Sequence, residues 1–258
     1  MNMRQELFKI VLTGYDVSMR EQPHLLSIIV PGHNEAENLV VLIPRLKRAL
    51  DTLSQEYEVT IVDNASKDAT EEVVSRFSEE MPQLRLTKEP TLGYGRAVLA
   101  GLSTSRGDVI GIIRADNQEK PEDLCHMVRA LQDEHKTLYK AIRMHRKSDG
   151  LKRVVISFVY NTLFKFLFGL ASRDLNATPK VFTRAFLEAA HLESKDWFID
   201  AEMIIKAEHM KVPIGEMEIE YLPRLKGRSS VRMRHIFEFF GNMLWWWERE
   251  RHGHLLEK

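Results

Sequence analysis

A carboxylate and an amide follow a short apolar stretch near the middle of the chain. Residues 109–113 contain four β-branched side chains, the pattern of a buried strand in a parallel sheet, and Asp116 and Gln118 come just after them. In an open α/β sheet, ligands bind beyond the carboxyl ends of the strands. Carboxylate and amide oxygens are ligands that suit Mg²⁺ or Mn²⁺ carrying a phosphate. This stretch predicts a metal–phosphate site, with an ordinary solvated loop as the alternative.

Two upstream strands are predicted to end in the same way. Residues 25–30 run into a turn-rich loop that contains Glu35, and residues 57–62 run into a loop that begins with Asp63. With right-handed crossovers, the carboxyl ends of parallel strands lie along one edge of the sheet. Carboxylates that meet there repel one another unless a cation or sugar hydroxyls lie between them. We therefore expect Glu35, Asp63 and Asp116 to share a ligand site.

Strands and helices alternate around these residues, which predicts an α/β fold. The glycines of Gly93–Arg96 precede a predicted helix, where backbone N–H groups would face a phosphate, and a plain tight turn is the alternative. Residues 214–221 alternate apolar and acidic side chains, which predicts a half-exposed or edge strand. The last segment places three consecutive tryptophans between arginines. That pattern suits the headgroup layer of a bilayer, with docking on protein as the alternative.

The composition limits the classes of function. The chain has 258 residues, and its 37 basic side chains equal its 37 acidic ones, so no nucleic-acid-binding surface is indicated. The single cysteine, Cys125, cannot form an internal disulfide, which suits a reducing compartment. No apolar stretch reaches the roughly 18 uninterrupted residues of a membrane span. Charges interrupt the N-terminal apolar stretch, unlike in a signal peptide. We therefore expect a cytoplasmic protein.

Six stretches follow one another from Ser27 to about Ser230: SIIVPGHNEAENL, VDNASKDAT, GYGRAVLAGL, RADNQEKPED, RDLNATPKVFTR and AEMIIKAEHMKVPIGEMEIEYLPRLKGRSS. Together they resemble family 2 glycosyltransferases of the GT-A fold, in particular the dolichyl- and polyprenyl-phosphate sugar synthases. The resemblance implies a Rossmann-like α/β fold, with a mostly parallel central sheet flanked by helices and with C-terminal amphipathic helices. It implies inverting transfer from a GDP- or UDP-linked nucleotide-sugar to a polyprenyl phosphate or related lipid-linked acceptor. Mg²⁺ or Mn²⁺ would be the cofactor, and the protein would lie peripherally on the cytoplasmic face of the membrane.

The resemblance also implies roles for individual residues. Asp116 and Gln118 would hold the metal, and Asp116 and Arg224 would be catalytic. The residues implied to bind the nucleotide are Pro31, His33, Glu35, Asp63, Asn64, Gly95, Arg96 and Ala115. The residues implied to contact acceptor or donor phosphates are Arg143, Arg173, Arg224 and Ser229.

Two departures from the family pattern leave alternatives open. Arg114 stands where the DxD-type motif has its first aspartate, so metal binding would be weaker, or Arg114 would itself contact the diphosphate. Reduced activity, or a non-catalytic nucleotide-sugar-binding or scaffold protein, is a further alternative. Ser230 stands where lysine is usual, and Thr178-Pro179-Lys180 replaces a Ser-Gly-Phe sequence that would contact the acceptor.

The chemistry of the acceptor decides whether a general base is needed. A phosphate monoester is largely ionised near neutrality, because its second pKa is about 6, and such a nucleophile needs no strong base. A sugar or lipid hydroxyl, the alternative acceptor in cell-surface glycan synthesis, does need one. Asp200 or Glu202, near the start of a predicted helix, would then be the candidate base.

We expect four parts along the chain. Residues 1–22 would be an N-terminal extension, and residues 23–149 the nucleotide-sugar-binding half of the GT-A fold. Residues 150–231 would form the acceptor-binding half, with phenylalanines that accommodate an isoprenoid chain. Residues 232–258 would be an amphipathic, membrane-associating helix.

Overall fold

Seven strands form a mostly parallel sheet in the part of the chain that the computed structural model describes, namely residues 25–144, 162–164, 166–169, 173–224 and 241–249. The strands are β1 (Leu25–Gly32), β2 (Glu56–Asn64), β3 (Leu84–Glu89), β4 (Val109–Ile112), β5 (Leu138–Met144), β6 (Lys180–Thr183) and β7 (Ile214–Glu220). Their order is β3-β2-β1-β4-β6-β5-β7. Only β6 runs antiparallel to its neighbours. The predicted mostly parallel α/β sheet is confirmed.

Helices follow most of the strands and cover the sheet. They are α1 (Ala36–Leu50), α2 (Thr70–Glu80), α3 (Tyr94–Thr104), α4 (Pro121–Asp133), α5 (Arg184–Ala190) and α6 (Ile199–His209). Residues 241–249 are also helical. α4 begins at Pro121, which has no N–H to leave unpaired, and its first turn carries two acidic residues that suit the positive end of the helix.

The core lies on both faces of the sheet because the central strands are buried on both sides. In β1, Leu26, Ile28 and Val30 face a cluster that includes α1 and α4, whereas Ile29 faces a cluster that includes α3 and α6. Strands buried on both faces read as continuous apolar runs, which is why β1 and β4 could be found in the sequence. The loops that follow the carboxyl ends of β1 and β4 carry the candidate site.

Two structural predictions have different outcomes. The predicted edge strand is confirmed, because β7 is the last strand of the sheet. The division between residues 149 and 150 stays a prediction, and the sheet crosses it, since β6 and β7 pair with β4 and β5. The N-terminal extension, Ser229 and residues 145–161 lie outside the described residues. No helix in the described ranges is both long enough and apolar enough to cross a bilayer.

Candidate functional site

The ends of β1, β2 and β4 lie side by side, and their loops are tied together. β1 pairs in parallel with both β2 and β4. The backbone N–H of Asn34 donates to Ser66 Oγ at 2.9 Å, and Asn34 Oδ1 accepts from the backbone N–H of Lys67 at 2.7 Å. A Cβ placed on Gly32 would lie 3.2 Å from that of Ala115, so the backbones after β1 and β4 are also close. The neighbouring strand ends expected from the sequence are present.

Arg224 joins two of the predicted carboxylates. Its Nη1 donates to Glu35 Oε1 at 3.1 Å, and its Nη2 donates to Asp116 Oδ2 at 2.8 Å. Asp116 is buried, and its other oxygen accepts from the backbone N–H of Gln118 at 3.2 Å. Burial raises the pKa of the Glu35 carboxyl, and hydrogen bonding to Asn38 and the charge of Arg224 oppose this rise. The guanidinium group of Arg224 thus provides the positive charge between these two carboxylates.

Asp63 lies beside this bridge and makes a different contact. Its Oδ1 accepts from the backbone N–H of Ser66 at 2.9 Å. Nearby, His33 Nδ1 lies 2.7 Å from the carbonyl oxygen of Asn64, and His33 Nε2 lies 3.0 Å from Asn34 Nδ2. The structure therefore brings Glu35 and Asp116 into one ion cluster, with His33 in the same loop as Glu35 and Asp63 at the end of the neighbouring β2.

The side chain of Asn64 is used inside the fold. Its Nδ2 donates to the carbonyls of Glu89 and Thr91 at 3.2 and 2.8 Å, and its Oδ1 accepts from the N–H of Gly93 at 2.8 Å. These three bonds fix the segment between β3 and α3. The predicted contact of Asn64 with a nucleotide stays a prediction.

The glycine-containing start of α3 is packed against another segment of the chain. A Cβ on Gly95 would lie 2.3 Å from the carbonyl oxygen of Ser194 and 2.6 Å from that of Asp196. The backbone N–H of Arg96 donates to the carbonyl of Lys195 at 3.1 Å. Close packing accounts for Gly95, and the nucleotide contacts predicted for Gly95 and Arg96 stay predictions.

Gln118 links the loop after β4 to the segment after β7. Its Nε2 donates to the carbonyl of Leu222 at 3.1 Å, and its own carbonyl accepts from the N–H of Leu222 at 2.9 Å. This two-way pairing positions Arg224, two residues further on, against Asp116. Gln118 Oε1 makes no hydrogen bond within the described ranges and remains a possible ligand atom.

Arg114 makes a buried ion pair. Its Nε donates to Glu119 Oε1 at 2.7 Å, its backbone N–H donates to Glu119 Oε2 at 3.1 Å, and its Nη2 donates to Tyr221 Oη at 2.7 Å. Glu119 is 1% exposed and also accepts from Thr178 Oγ1 at 2.5 Å. Position 114 therefore serves internal contacts where the family motif would have a metal-binding aspartate.

Arg143 and Lys140 hold the loop that carries Arg173. Arg143 donates from Nε and Nη2 to the two carboxylate oxygens of Asp174 at 2.9 and 2.6 Å. Lys140 is buried and donates from Nζ to the carbonyl of Arg173. Burial lowers the pKa of Lys140 to about 8. The Arg173 Nε lies 3.6 Å from Glu216 Oε2. Because the Arg173 side chain is 57% exposed, a phosphate can reach its guanidinium group.

The two candidate bases are each engaged by a lysine. Lys180 Nζ donates to Asp200 Oδ1 at 2.7 Å, and Lys206 Nζ lies 2.8 Å from Glu202 Oε1. Asp200 is 4% exposed and Glu202 is fully buried. Burial lowers the pKa of Lys180, although the charge of Asp200 opposes that effect. These pairs give both carboxylates a structural partner.

Sequence reasoning missed Tyr221, Glu119 and Lys140. Glu119 and Tyr221 lie within the motifs already singled out, but their partners are set by folding. Lys140 had a signal, because a lysine in the middle of an otherwise apolar strand must find buried partners.

The donor set around Asp116 fits a divalent cation that arrives with its substrate. Within the described ranges, no three His, Cys, Asp or Glu side chains converge as a metal-binding group. Mg²⁺, however, is commonly held by one or two carboxylates together with substrate phosphates. Asp116 and Gln118 Oε1 supply oxygen ligands of this kind, provided that Arg224 releases Asp116.

Comparison with known proteins gives consistent results. A family model described as Glycosyl transferase family 2 matches residues 27–193. An undecaprenyl-phosphate 4-deoxy-4-formamido-L-arabinose transferase from Yersinia enterocolitica is 29% identical over 186 residues, which are 71% of this chain and 56% of that protein. A dolichyl-phosphate beta-glucosyltransferase from Trichomonas vaginalis is 26% identical over 210 residues, which are 76% of this chain and 65% of that protein. The chain thus spans less than two thirds of either relative.

A solved structure confirms the type of fold. Glucosyl-3-phosphoglycerate synthase from Mycobacterium tuberculosis, in complex with Mn²⁺, UDP-glucose and phosphoglyceric acid, superposes with a TM-score of 0.68. The match has 16% sequence identity and covers 95% of this chain and 83% of that one. The GT-A architecture implied by the sequence is confirmed.

Proposed function

The chain belongs to glycosyl transferase family 2, and from this premise we propose that it transfers a sugar from a nucleotide-sugar to a polyprenyl phosphate or a related membrane-linked acceptor. The observation that carries the proposal is the cluster of Glu35, Arg224 and Asp116 at the carboxyl ends of β1 and β4. Ligands of open α/β sheets bind at such ends. The two relatives, named for undecaprenyl- and dolichyl-phosphate acceptors, support this class of acceptor.

In this proposal the cluster serves the leaving group. Asp116 and Gln118 would hold Mg²⁺ or Mn²⁺, and a bound cation supplies charge neutralisation to a departing nucleoside diphosphate. Arg224 has two donors that already bind oxyanions in the structure, and the same donors would stabilise diphosphate oxygens. His33 and Glu35 follow β1 and Asp63 ends β2, and the nucleoside would lie beside these two strand ends.

The second half of the sheet would serve the acceptor. Arg143 and Arg173 lie at the β5–β7 side and would orient a phosphate. A phosphate monoester needs no strong general base, because it is largely ionised near neutrality. The engagement of Asp200 by Lys180 supports this acceptor over a hydroxyl, for which Asp200 would have to accept a proton. We expect Asp200→Asn to keep near-normal turnover. A variant that folds but has lost turnover would instead favour a hydroxyl acceptor.

Transfer to paired acceptors tests the proposal directly. Purified full-length protein would be incubated with Mn²⁺, a panel of UDP- and GDP-sugars, and either a prenyl monophosphate or the corresponding prenyl alcohol. We expect a prenyl-phosphate sugar from the monophosphate alone. Asp116→Asn should lose at least about 100-fold in rate, since it removes a charge that acts on the leaving group. Glu122→Gln, an exposed acid at the start of α4, is the matched control and should keep the rate. Nucleotide-sugar binding without transfer or hydrolysis would instead support a non-catalytic protein.

We also propose a peripheral position at the cytoplasmic face of the membrane. Several large apolar side chains are exposed, including Phe166 (86%), Leu244 (54%) and Trp245 (50%). The Arg249 guanidinium carbon lies 4.7 Å from the Trp245 ring centroid, so aromatic and basic groups are adjacent. Although Arg249 is paired with Glu193, the exposed aromatic and aliphatic side chains suit the interfacial layer of a bilayer.

A further inference from the structure

Two arginine side chains lie against the ring of Tyr221. The guanidinium carbon of Arg114 is 5.4 Å from the ring centroid, and that of Arg143 is 5.3 Å from it. Arg114 comes from the loop after β4, Arg143 from β5, and Tyr221 follows β7. Three separate elements therefore meet at this ring.

Each of the three side chains keeps one donor atom that no residue in the described ranges uses. Arg114 bonds through Nε and Nη2 to Glu119 and Tyr221, and Arg143 bonds through Nε and Nη2 to Asp174. In the described part of the chain, Nη1 of neither arginine has a partner. Tyr221 Oη accepts from Arg114, and its own O–H finds no acceptor among those residues. Neither Nη1 is among the fully enclosed polar atoms, so an external oxyanion can reach both of them.

We propose that Arg114, Arg143 and Tyr221 form a subsite that binds the phosphate group of the acceptor. The inference rests on the proposed function and adds two residues, Arg114 and Tyr221, to its acceptor site. Guanidinium groups form charge-assisted hydrogen bonds to phosphate oxygens, and a tyrosine hydroxyl adds a directed donor. Burial raises the pKa of Tyr221, which keeps its hydroxyl protonated.

The carboxylates beside the arginines set the character of this subsite. Glu119 and Asp174 each neutralise one guanidinium group. The subsite therefore has little net charge of its own and would hold an oxyanion through directed hydrogen bonds.

The subsite adjoins Asp116 on the side of β4 that faces away from β1 and β2. The strand order places β2 and β1 on one side of β4, and β6, β5 and β7 on the other. Glu35 and Asp63, at the ends of β1 and β2, border the region proposed for the nucleotide. Arg143 and Tyr221 lie at the β5–β7 side. We therefore assign the subsite to the acceptor monophosphate, and the donor diphosphate is the alternative source of the same chemistry.

Direct binding of farnesyl monophosphate, measured by calorimetry on the full-length protein, tests the subsite. Tyr221→Phe removes the hydroxyl and keeps the ring that both arginines contact. We expect its affinity for farnesyl monophosphate to fall about tenfold or more, as for one lost hydrogen bond to a charged group, with UDP affinity within about twofold of wild type. Arg143→Lys keeps the charge, loses the planar fork, and should show the same selective loss.

Tyr139→Phe is the matched control. This tyrosine lies in β5, and its hydroxyl donates to Glu134 at 3.1 Å, so its loss should leave both affinities unchanged. Unchanged farnesyl monophosphate affinity in both Tyr221→Phe and Arg143→Lys would overturn the subsite. A loss confined to UDP would overturn its assignment to the acceptor. Binding without sugar transfer would contradict the proposed function and leave the subsite standing, so the two failures are distinguishable.

Discussion

Arg224 lies where a divalent cation would otherwise balance Glu35 and Asp116. Its two donors, at 3.1 and 2.8 Å, each bind one carboxylate. Such a pair is stable only while both charges are matched, because removal of one partner leaves an uncompensated buried charge. A metal ion and the guanidinium group therefore compete for Asp116.

Replacing Arg224 by an uncharged residue should remove its competition with a metal ion for Asp116. We predict that Arg224→Gln binds Mn²⁺ without nucleotide at least about tenfold more tightly than wild type, measured by electron paramagnetic resonance of free Mn²⁺. Arg129→Gln is the control, because Arg129 donates to Thr52 far from the carboxylates. Equal Mn²⁺ affinity of wild type and Arg224→Gln would contradict competition at Asp116.

Individual residues differ in how far the sequence could reveal them. Glu35 and Asp116 were predictable because each follows an apolar strand whose end is a binding position in this type of sheet. The contact between Arg114 and Tyr221 was not, since 107 residues separate them and only folding brings them together. Local patterns predict where a side chain is placed along an element, and they do not predict its distant partner.

The start of α3 shows how an element is fixed by packing. Its glycines suggested a phosphate cradle, which stays a prediction, and the structure packs the backbone carbonyls of residues 194–196 against Gly95. These oxygens belong to backbone, so they cannot move aside as the end of a flexible side chain can. A side chain at Gly95 would therefore force two segments apart.

Gly95→Ala should lower the free energy of unfolding by about 1–3 kcal/mol, the usual penalty for overpacking, as measured by urea denaturation. The control is Gly241→Ala in the helical residues 241–249, where no atom lies within 4 Å of the added Cβ. Alanine is the better helix former, so this variant should be as stable as wild type or more so. If Gly95→Ala is as stable as wild type, then the backbone of residues 194–196 can move enough to accommodate the added methyl group.

The elements themselves were largely predictable. Apolar runs placed β1, β2 and β4 within a few residues of the observed bounds. The direction of β6 was not predictable, because an alternating or apolar pattern is the same in a parallel and an antiparallel strand. Its insertion between β4 and β5 is set by tertiary pairing.

Stability of the whole molecule should depend on pH through Lys140. This lysine is buried near Glu216, Lys180 and Asp174, and burial lowers its pKa to about 8. In the unfolded chain a lysine titrates near pH 10.4. Between these values the unfolded state binds more protons, so the contribution of Lys140 to stability rises with pH.

Lys140→Met removes this contribution. The free energy of unfolding of wild type relative to the variant should increase by up to about 3 kcal/mol between pH 8 and 10.4, as measured by urea denaturation at both pH values. Lys47→Met is the control, because the side chain of Lys47 is 43% exposed. A wild type–variant difference that stays constant across this window would contradict the assignment to Lys140.

The exposed apolar side chains raise the question of what covers them in the cell. Phe164 and Trp246 both contact the ring of Phe198, at 5.8 and 5.9 Å between centroids, so two helical segments pack on one core residue. Their neighbours Phe166 and Trp245 are exposed by 86% and 50%. A soluble partner or a bilayer would cover such groups, and exposed aromatic side chains suit the interfacial layer of a bilayer.

Liposome flotation distinguishes these coverings. Full-length protein should float with vesicles that contain anionic lipid, and Leu244→Ala combined with Trp245→Ala should reduce the floating fraction several-fold, because buried apolar area drives interfacial binding. Leu92→Ala is the matched control, since Leu92 is 58% exposed on another part of the described surface. If the double variant floats as well as wild type, then Leu244 and Trp245 contact protein rather than lipid, and the proposed membrane position loses its structural basis.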